Sequence, residues 1–235
     1  MSAANSRRPY LIVAAALVAA VAVILLALQL RDTAPDAAAP PESTVLNTNT
    51  GPAGDVPRRA ADDPLILGDD AAPVTMVVFS ELTCRYCVHF ATQIQPKLVD
   101  EYVKTGRLRI EWRDAPASGP AARTTARAGR AAAEQGRFWQ FTDAVVRADQ
   151  RSPLTVDALT DLARTAGITD LERFRSDADG TAFDQQIDAD LRLAQSLFIP
   201  PSPAFWIDGT PLLSGLPLRA FTDVINGKLK LHNAD

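Results

Sequence analysis

Cysteine is scarce. The 235-residue chain has two, Cys84 and Cys87. A secreted fold stapled by disulfides needs more of them at wider spacings, so these thiols are not there to hold the chain together. Histidine is equally scarce, with only His89 and His232. Zinc takes four ligands, often as two spaced pairs, and Cys84, Cys87 and His89 find no second pair. No metal or other cofactor is called for. There is no long basic stretch and the net charge is only −4, which argues against nucleic acid as a partner. No internal repeat is visible. What remains is an apolar share of 47%, enough for a sizeable core, and a length that suits one ordinary domain with extra segments.

The first extra segment is apolar. Arg7 and Arg8 precede a run from Tyr10 to Leu30 in which only Gln29 is strongly polar. At a helical rise it spans about 31 Å, matching a hydrocarbon core of about 30 Å. Positive charge precedes the run, so residues 1–9 are expected in the cytoplasm and everything after Leu30 outside it. A cleaved signal peptide is the competing reading. Its apolar core is shorter, about 7–15 residues, and is followed directly by a small-x-small site that is missing here. No cysteine lies near the run, which argues against a lipid anchor. Residues 31–63 follow, rich in Ala, Pro, Thr, Asn and Asp and without apolar periodicity. They read as a flexible tether with a reach of about 30 Å.

The folded part is expected from residue 64 onward. Val74 to Phe79 is a β-branched, apolar run that reads as a buried strand. From Cys84 the pattern turns helical: Cys87, Phe90, Ala91, Ile94 and Leu98 share one face, and Pro96 should bend the helix. Leu108, Ile110 and Trp112 alternate with charged residues as a second strand. Residues from about 119 to 198 read as helices broken at Pro153, Gly167 and Gly180. Ala204 to Ile207 form a strand, Asp208–Gly209 a tight hairpin turn, and Pro211 to Leu213 its partner. A final amphipathic helix covers Leu218 to Leu229.

The chemistry concentrates at Cys84-Arg85-Tyr86-Cys87. Thr83 is expected to cap the helix, placing Cys84 in its first turn. There the unpaired backbone N–H groups and the helix dipole favour an anion, the Cys84 thiolate. Arg85 adds positive charge and Tyr86 a hydroxyl donor. Cys87, one turn along on the apolar face, should be buried and less reactive. Cys84 would then exchange with substrate while Cys87 closes the internal disulfide. An inert structural disulfide is the alternative, but it would close a very short loop, and short loops stabilise least. Glu81, three residues before Cys84, reads as a solvated loop residue, with proton transfer to the thiols as the functional alternative. His89 is expected on the surface, the three tryptophans in the core, and the arginines from Arg123 to Arg137 along a solvated helix face.

These residues resemble the DsbA-like branch of the thioredoxin superfamily. The stretch from Phe79 to Phe90, Phe-Ser-Glu-Leu-Thr-Cys-Arg-Tyr-Cys-Val-His-Phe, is similar to that family's active-site segment. Glu134 to Trp139 is similar to a second recurring stretch, and Pro201-Ser202-Pro203-Ala204-Phe205 to its cis-proline strand. The resemblance implies an α/β thioredoxin fold, residues 64–118 and 199–235, with a helical domain of residues 119–198 inserted. A single transmembrane helix (10–30) and a disordered linker (31–63) precede it. It further implies catalytic Cys84 and Cys87, thiolate tuning by Arg85, Tyr86 and Glu81, and substrate binding at Ser202 and a cis Pro203. The expected activity is disulfide donation to exported polypeptides, with reoxidation by a membrane partner of the DsbB or vitamin-K-epoxide-reductase type. A reductase, for example in cytochrome maturation, and a thiol-independent binding module for unfolded chains are the alternatives. One departure is visible: Arg85 stands where family members often have proline, and Tyr86 where the strongest oxidants have histidine.

Overall fold

The computed structural model describes residues 56–58, 60, 62–149, 151–200 and 203–233. The expected membrane span, the cytoplasmic tail and nearly all of the tether lie outside these residues. Among the described residues, no helix is long and apolar enough to cross a membrane.

The organising element is β2 (Val74–Ser80), in which all seven residues are buried. It pairs in parallel with β3 (Leu108–Asp114), Val74 opposite Leu108 and Ser80 opposite Asp114. On its other side it pairs antiparallel with β4 (Ala204–Ile207), Phe79 opposite Ala204. A hairpin joins β4 to β5 (Thr210–Leu212), and a two-residue strand, β1 (Ile66–Leu67), adds antiparallel to β3. The sheet order is β1-β3-β2-β4-β5. The hairpin turn works as its sequence predicts: Asp208 and Gly209 both adopt positive φ, 40° and 82°, as a two-residue turn matching strand twist requires.

Full burial of β2 means that both faces of the sheet are covered. Val74, Met76 and Val78 face Phe90, Ile94, Leu98 and Tyr102 of the helix after the cysteines, and Phe221 and Ile225 of the last helix. Val77 and Phe79 face Val56, Ala115 and Ala194 on the other side. The first of these helices, α1 (residues 85–103), is not uniform. It runs as an α-helix over Arg85–His89 and Gln95–Leu98, with π-helical turns at Phe90–Ile94 and Val99–Val103. Pro96 explains the first widening, since it has no N–H to donate and its ring displaces the carbonyl of the preceding turn. Between β3 and β4 lie α2 (Pro120–Ala133), α3 (Phe138–Arg147), α4 (Val156–Thr165), α5 (Leu171–Asp179) and α6 (Asp184–Ser196). Their shared core includes Phe138, Phe141, Leu159, Phe174 and Ile187. Gly136 at φ 67° makes a break between α2 and α3 that the sequence reading did not place. The last helix, α7 (Leu218–His232), ends the described chain.

Two expectations about charge are corrected. Of the arginines from Arg123 to Arg137, Arg137 is exposed as expected, but Arg123, Arg127 and Arg130 are half-buried in ion pairs. Arg123 and Arg127 pair with Asp184, and Arg130 is bound to Asp114 at 2.6 Å and Asp190 at 2.5 Å. The reason is α6, whose aspartates pack opposite α2. The tether, moreover, gives way to folded chain before residue 63. Val56 is 1% exposed, and Arg58 bonds Asp63 and Asp190 while its backbone N–H donates to Glu111 at 2.7 Å. Glu111 and Arg109, the charged side of β3, are buried beneath this segment and pair with each other at 2.9 Å.

At the end of α6, Phe198 holds φ at 53° with its side chain 94% exposed. Its N–H bonds the carbonyl of Gln195 and that of Ile199 bonds Ala194, the helix stop that glycine normally occupies. Phe198→Gly should therefore raise stability by about 0.5–1 kcal/mol, since the ring gains nothing and its Cβ is strained. A urea titration checks this, and a fall in midpoint would show that the ring is packed in solution.

Candidate active site

β2 delivers the chain to the site. It ends at Ser80, and Glu81 to Thr83 lead to Cys84. Cys84, not Thr83, is the N-cap of α1. Its backbone is extended (φ −79°, ψ 131°), and its Sγ accepts the N–H of Cys87 at 3.4 Å. The sulfur sits one bond beyond Cβ, as a serine hydroxyl would, so it reaches the third helical N–H unaided. The cap first assigned to Thr83 moves one residue on, and Thr83 Oγ1 donates instead to Glu81 Oε1 at 3.3 Å. The consequence is direct contact between Cys84 sulfur and a backbone donor at the positive end of the helix.

Cys87 is 2% exposed, whereas Cys84 is partly accessible; both are in the dithiol state. Burial pushes the Cys87 thiol well up, and its hydrogen bond to Cys84 adds to this, while contacts with Ser80 and the backbone of Glu81 pull it down. Arg85 and Tyr86 are exposed, with the Arg85 guanidinium 5.0 Å above the Tyr86 ring. His89 is exposed, as expected.

Glu81 is the largest local correction. It is 3% exposed, and its carboxylate accepts the N–H groups of Ala117 at 2.6 Å and Ser118 at 3.0 Å, together with the Ser118 hydroxyl. The loop after β3 folds over it and supplies the donors that its charge requires. Glu81 and Cys87 form one wall of a narrow crevice whose other wall is α3, through Trp139, Thr142 and Asp143. Trp112 also lines it, with its Nε1 donating to Asp114 at 2.9 Å.

Pro203 is buried and directly precedes β4, whose Ala204 pairs with Phe79. That places it beside the end of β2 from which the cysteine loop departs. Ser202, and with it the Ser202–Pro203 peptide, lies outside the described residues.

A parallel β2–β3 pair, an antiparallel β4–β5 hairpin and two cysteines at the head of the first long helix define a fold. A family model described as Thioredoxin matches residues 60–226. The chain belongs to the thioredoxin family. It is 27% identical over 149 residues to the probable disulfide bond formation protein D of Bacillus cereus, covering 61% of this chain and 69% of that protein. The solved structure of oxidised BdbD from Bacillus subtilis superposes with a TM-score of 0.67 at 24% identity, covering 72% of this chain and 94% of that one. Wolbachia pipientis alpha-DsbA1 gives a TM-score of 0.62 at 22% identity, covering 71% of this chain and 90% of that one. Within the thioredoxin family the chain is a disulfide oxidoreductase whose fold is DsbA-like, with the helical insertion between β3 and β4.

Proposed function

We propose that this oxidoreductase works as an oxidase outside the cytoplasm, donating a Cys84–Cys87 disulfide to exported polypeptides. The observation that carries the reading is the contact between Cys84 Sγ and the N–H of Cys87. A donor aimed at Cys84 Sγ stabilises the negative charge that builds on that sulfur when a mixed disulfide breaks and Cys84 is expelled, which favours disulfide donation. A substrate thiolate attacks Cys84 Sγ, the internal S–S bond breaks, and Cys87 leaves as thiolate and takes a proton. A second substrate thiolate then attacks the substrate sulfur of the mixed disulfide and expels Cys84. Two electrons pass from substrate to enzyme, and the substrate leaves with a new disulfide.

Ser202 and Pro203 hold the substrate in this reading, the backbone before β4 pairing with an extended chain as in strand addition. Arg85, Tyr86 and Glu81 tune the pair, the first two from the exposed side and Glu81 from beneath. The reduced enzyme is reoxidised by a membrane protein of the DsbB or vitamin-K-epoxide-reductase type. Residues 10–30 anchor the enzyme beside that partner, with residues 1–9 in the cytoplasm.

The reduction potential of the full-length chain in glutathione buffers tests the direction of flow. A value near about −120 mV is expected, and one near about −270 mV would make the enzyme a reductase.

A further inference from the structure

Cys87 poses a problem that the reading above leaves open. In each half-cycle its buried sulfur must gain or lose a proton. Whereas Cys84 is partly accessible, Cys87 is 2% exposed. A thiolate there needs a donor, and its proton needs a way out.

Both are present on the inner side. Ser80, the last residue of β2, is 2% exposed and lines the same crevice as Cys87. Alternation along β2 puts it on the face of Val74, Met76 and Val78, which packs against α1, and hydrogen bonding from its side chain is among the effects that pull the Cys87 thiol down. The contact of the Ser80 hydroxyl with the carbonyl of Glu81 is 3.5 Å long, at the limit of a hydrogen bond, so the hydroxyl is not committed elsewhere. A hydroxyl accepts from S–H in one rotamer and donates to S⁻ in another. The crevice runs from Ser80 and Cys87 to Asp143, which is exposed and paired with Arg147 at 2.7 Å. The titratable groups facing it are Glu81 from the cysteine loop, Asp143 from α3 and Cys87 itself, with Cys84 beyond Cys87.

We propose that Ser80 is the positioning residue for the Cys87 thiolate, and that the crevice between α1 and α3 is the path by which the Cys87 proton comes and goes. When Cys87 resolves a mixed disulfide on Cys84, its proton passes by the Ser80 hydroxyl into the crevice. The Cys87 sulfur then bonds Cys84 Sγ, and the bound thiol leaves as thiolate with the electron pair of the broken S–S bond. This rests on the assignment of Cys84 as the attacking and Cys87 as the resolving thiol.

The two thiols can be read separately in one experiment. The reduced full-length chain is mixed with an aromatic disulfide that releases coloured thionitrobenzoate. The first release reports attack by Cys84, and the second reports resolution by Cys87. In Ser80→Ala the first phase should be unchanged. The second should slow about tenfold at pH 7, the loss expected for one hydrogen bond to a charged group, and in both proteins it should quicken as pH rises, since Cys87 reacts as the thiolate. Ser80→Thr, which keeps the hydroxyl, should restore most of the rate. An unchanged second phase in Ser80→Ala, or a slowed one that Ser80→Thr does not restore, overturns the role of Ser80 and leaves the thiol assignment standing. A wild-type chain that shows no second phase overturns the assignment itself.

Discussion

Cys84→Ser is expected to lower the rate of dithiol oxidation by at least about a thousandfold, the scale on which loss of a nucleophile acts. The fold should survive it. Cys84 caps α1 through its sulfur, and serine is among the best residues at that position, so this substitution removes the chemistry and keeps the cap. Cys87→Ser should behave differently. Cys84 would still attack, but no thiol remains to resolve the product, and a mixed disulfide with substrate should accumulate. Mass spectrometry after incubation with a disulfide-linked peptide, whose S–S bond Cys84 breaks while one half leaves as the thiolate, distinguishes the two. Should Cys84→Ser retain full function in holding or folding exported chains, the enzyme would be using its thiols little and the binding-module alternative would hold.

The second large effect is expected far from the sulfur atoms. Asp190→Ala should destabilise the protein by about 3–5 kcal/mol, the range for breaking a buried ion pair by removing one partner. Asp190 is 2% exposed. Its carboxylate binds Arg113 at 2.7 Å, Arg130 at 2.5 Å and Arg58 at 3.4 Å, and accepts the N–H of Asp114 at 3.2 Å. Removing it takes a carboxylate partner from three guanidinium groups in a cluster that joins α6, β3, α2 and the segment before β1; Arg58 keeps Asp63 and Arg130 keeps Asp114, while Arg113 is left with the carbonyl of Val56. Asp114 would feel this too: burial pushes its carboxyl up, Arg130 pulls it down, and Asp190 raises it through like-charge repulsion. Thermal unfolding should show a midpoint lower by about 10 °C for a folded region of this size. A change under about 1 kcal/mol would mean that water already solvates these arginines.

The cluster also marks where reading the sequence stopped working. Strands β2 and β4, the hairpin turn and the helix after the cysteines were legible because their signals are local: a β-branched run, a period of 3.6, an Asp-Gly pair. The cysteine pair was legible for the same reason, being two reactive side chains at one-turn spacing at the head of a helix. Arg58, Arg113, Arg130, Asp114 and Asp190 carry no such signal. Each reads as a surface residue, and nothing in their spacing states that segments up to 132 positions apart meet. β1 was missed because two residues make too short a pattern, and pairing with β3 alone gives it its conformation.

Glu81 and Ser80 show the same division within the site. By itself the sequence pointed to the candidate redox pair and determined the order of the elements around it and the end of the helix on which it sits, since these follow from neighbouring residues and backbone geometry. Only the tertiary structure decided that Glu81 is buried beneath the loop after β3, that Cys84 rather than Thr83 caps the helix, and that Ser80 shares a crevice with Cys87. Burial is a property of what packs over a residue. What packs here comes from α3 and the loop at Ala117 and Ser118, more than thirty positions along the chain.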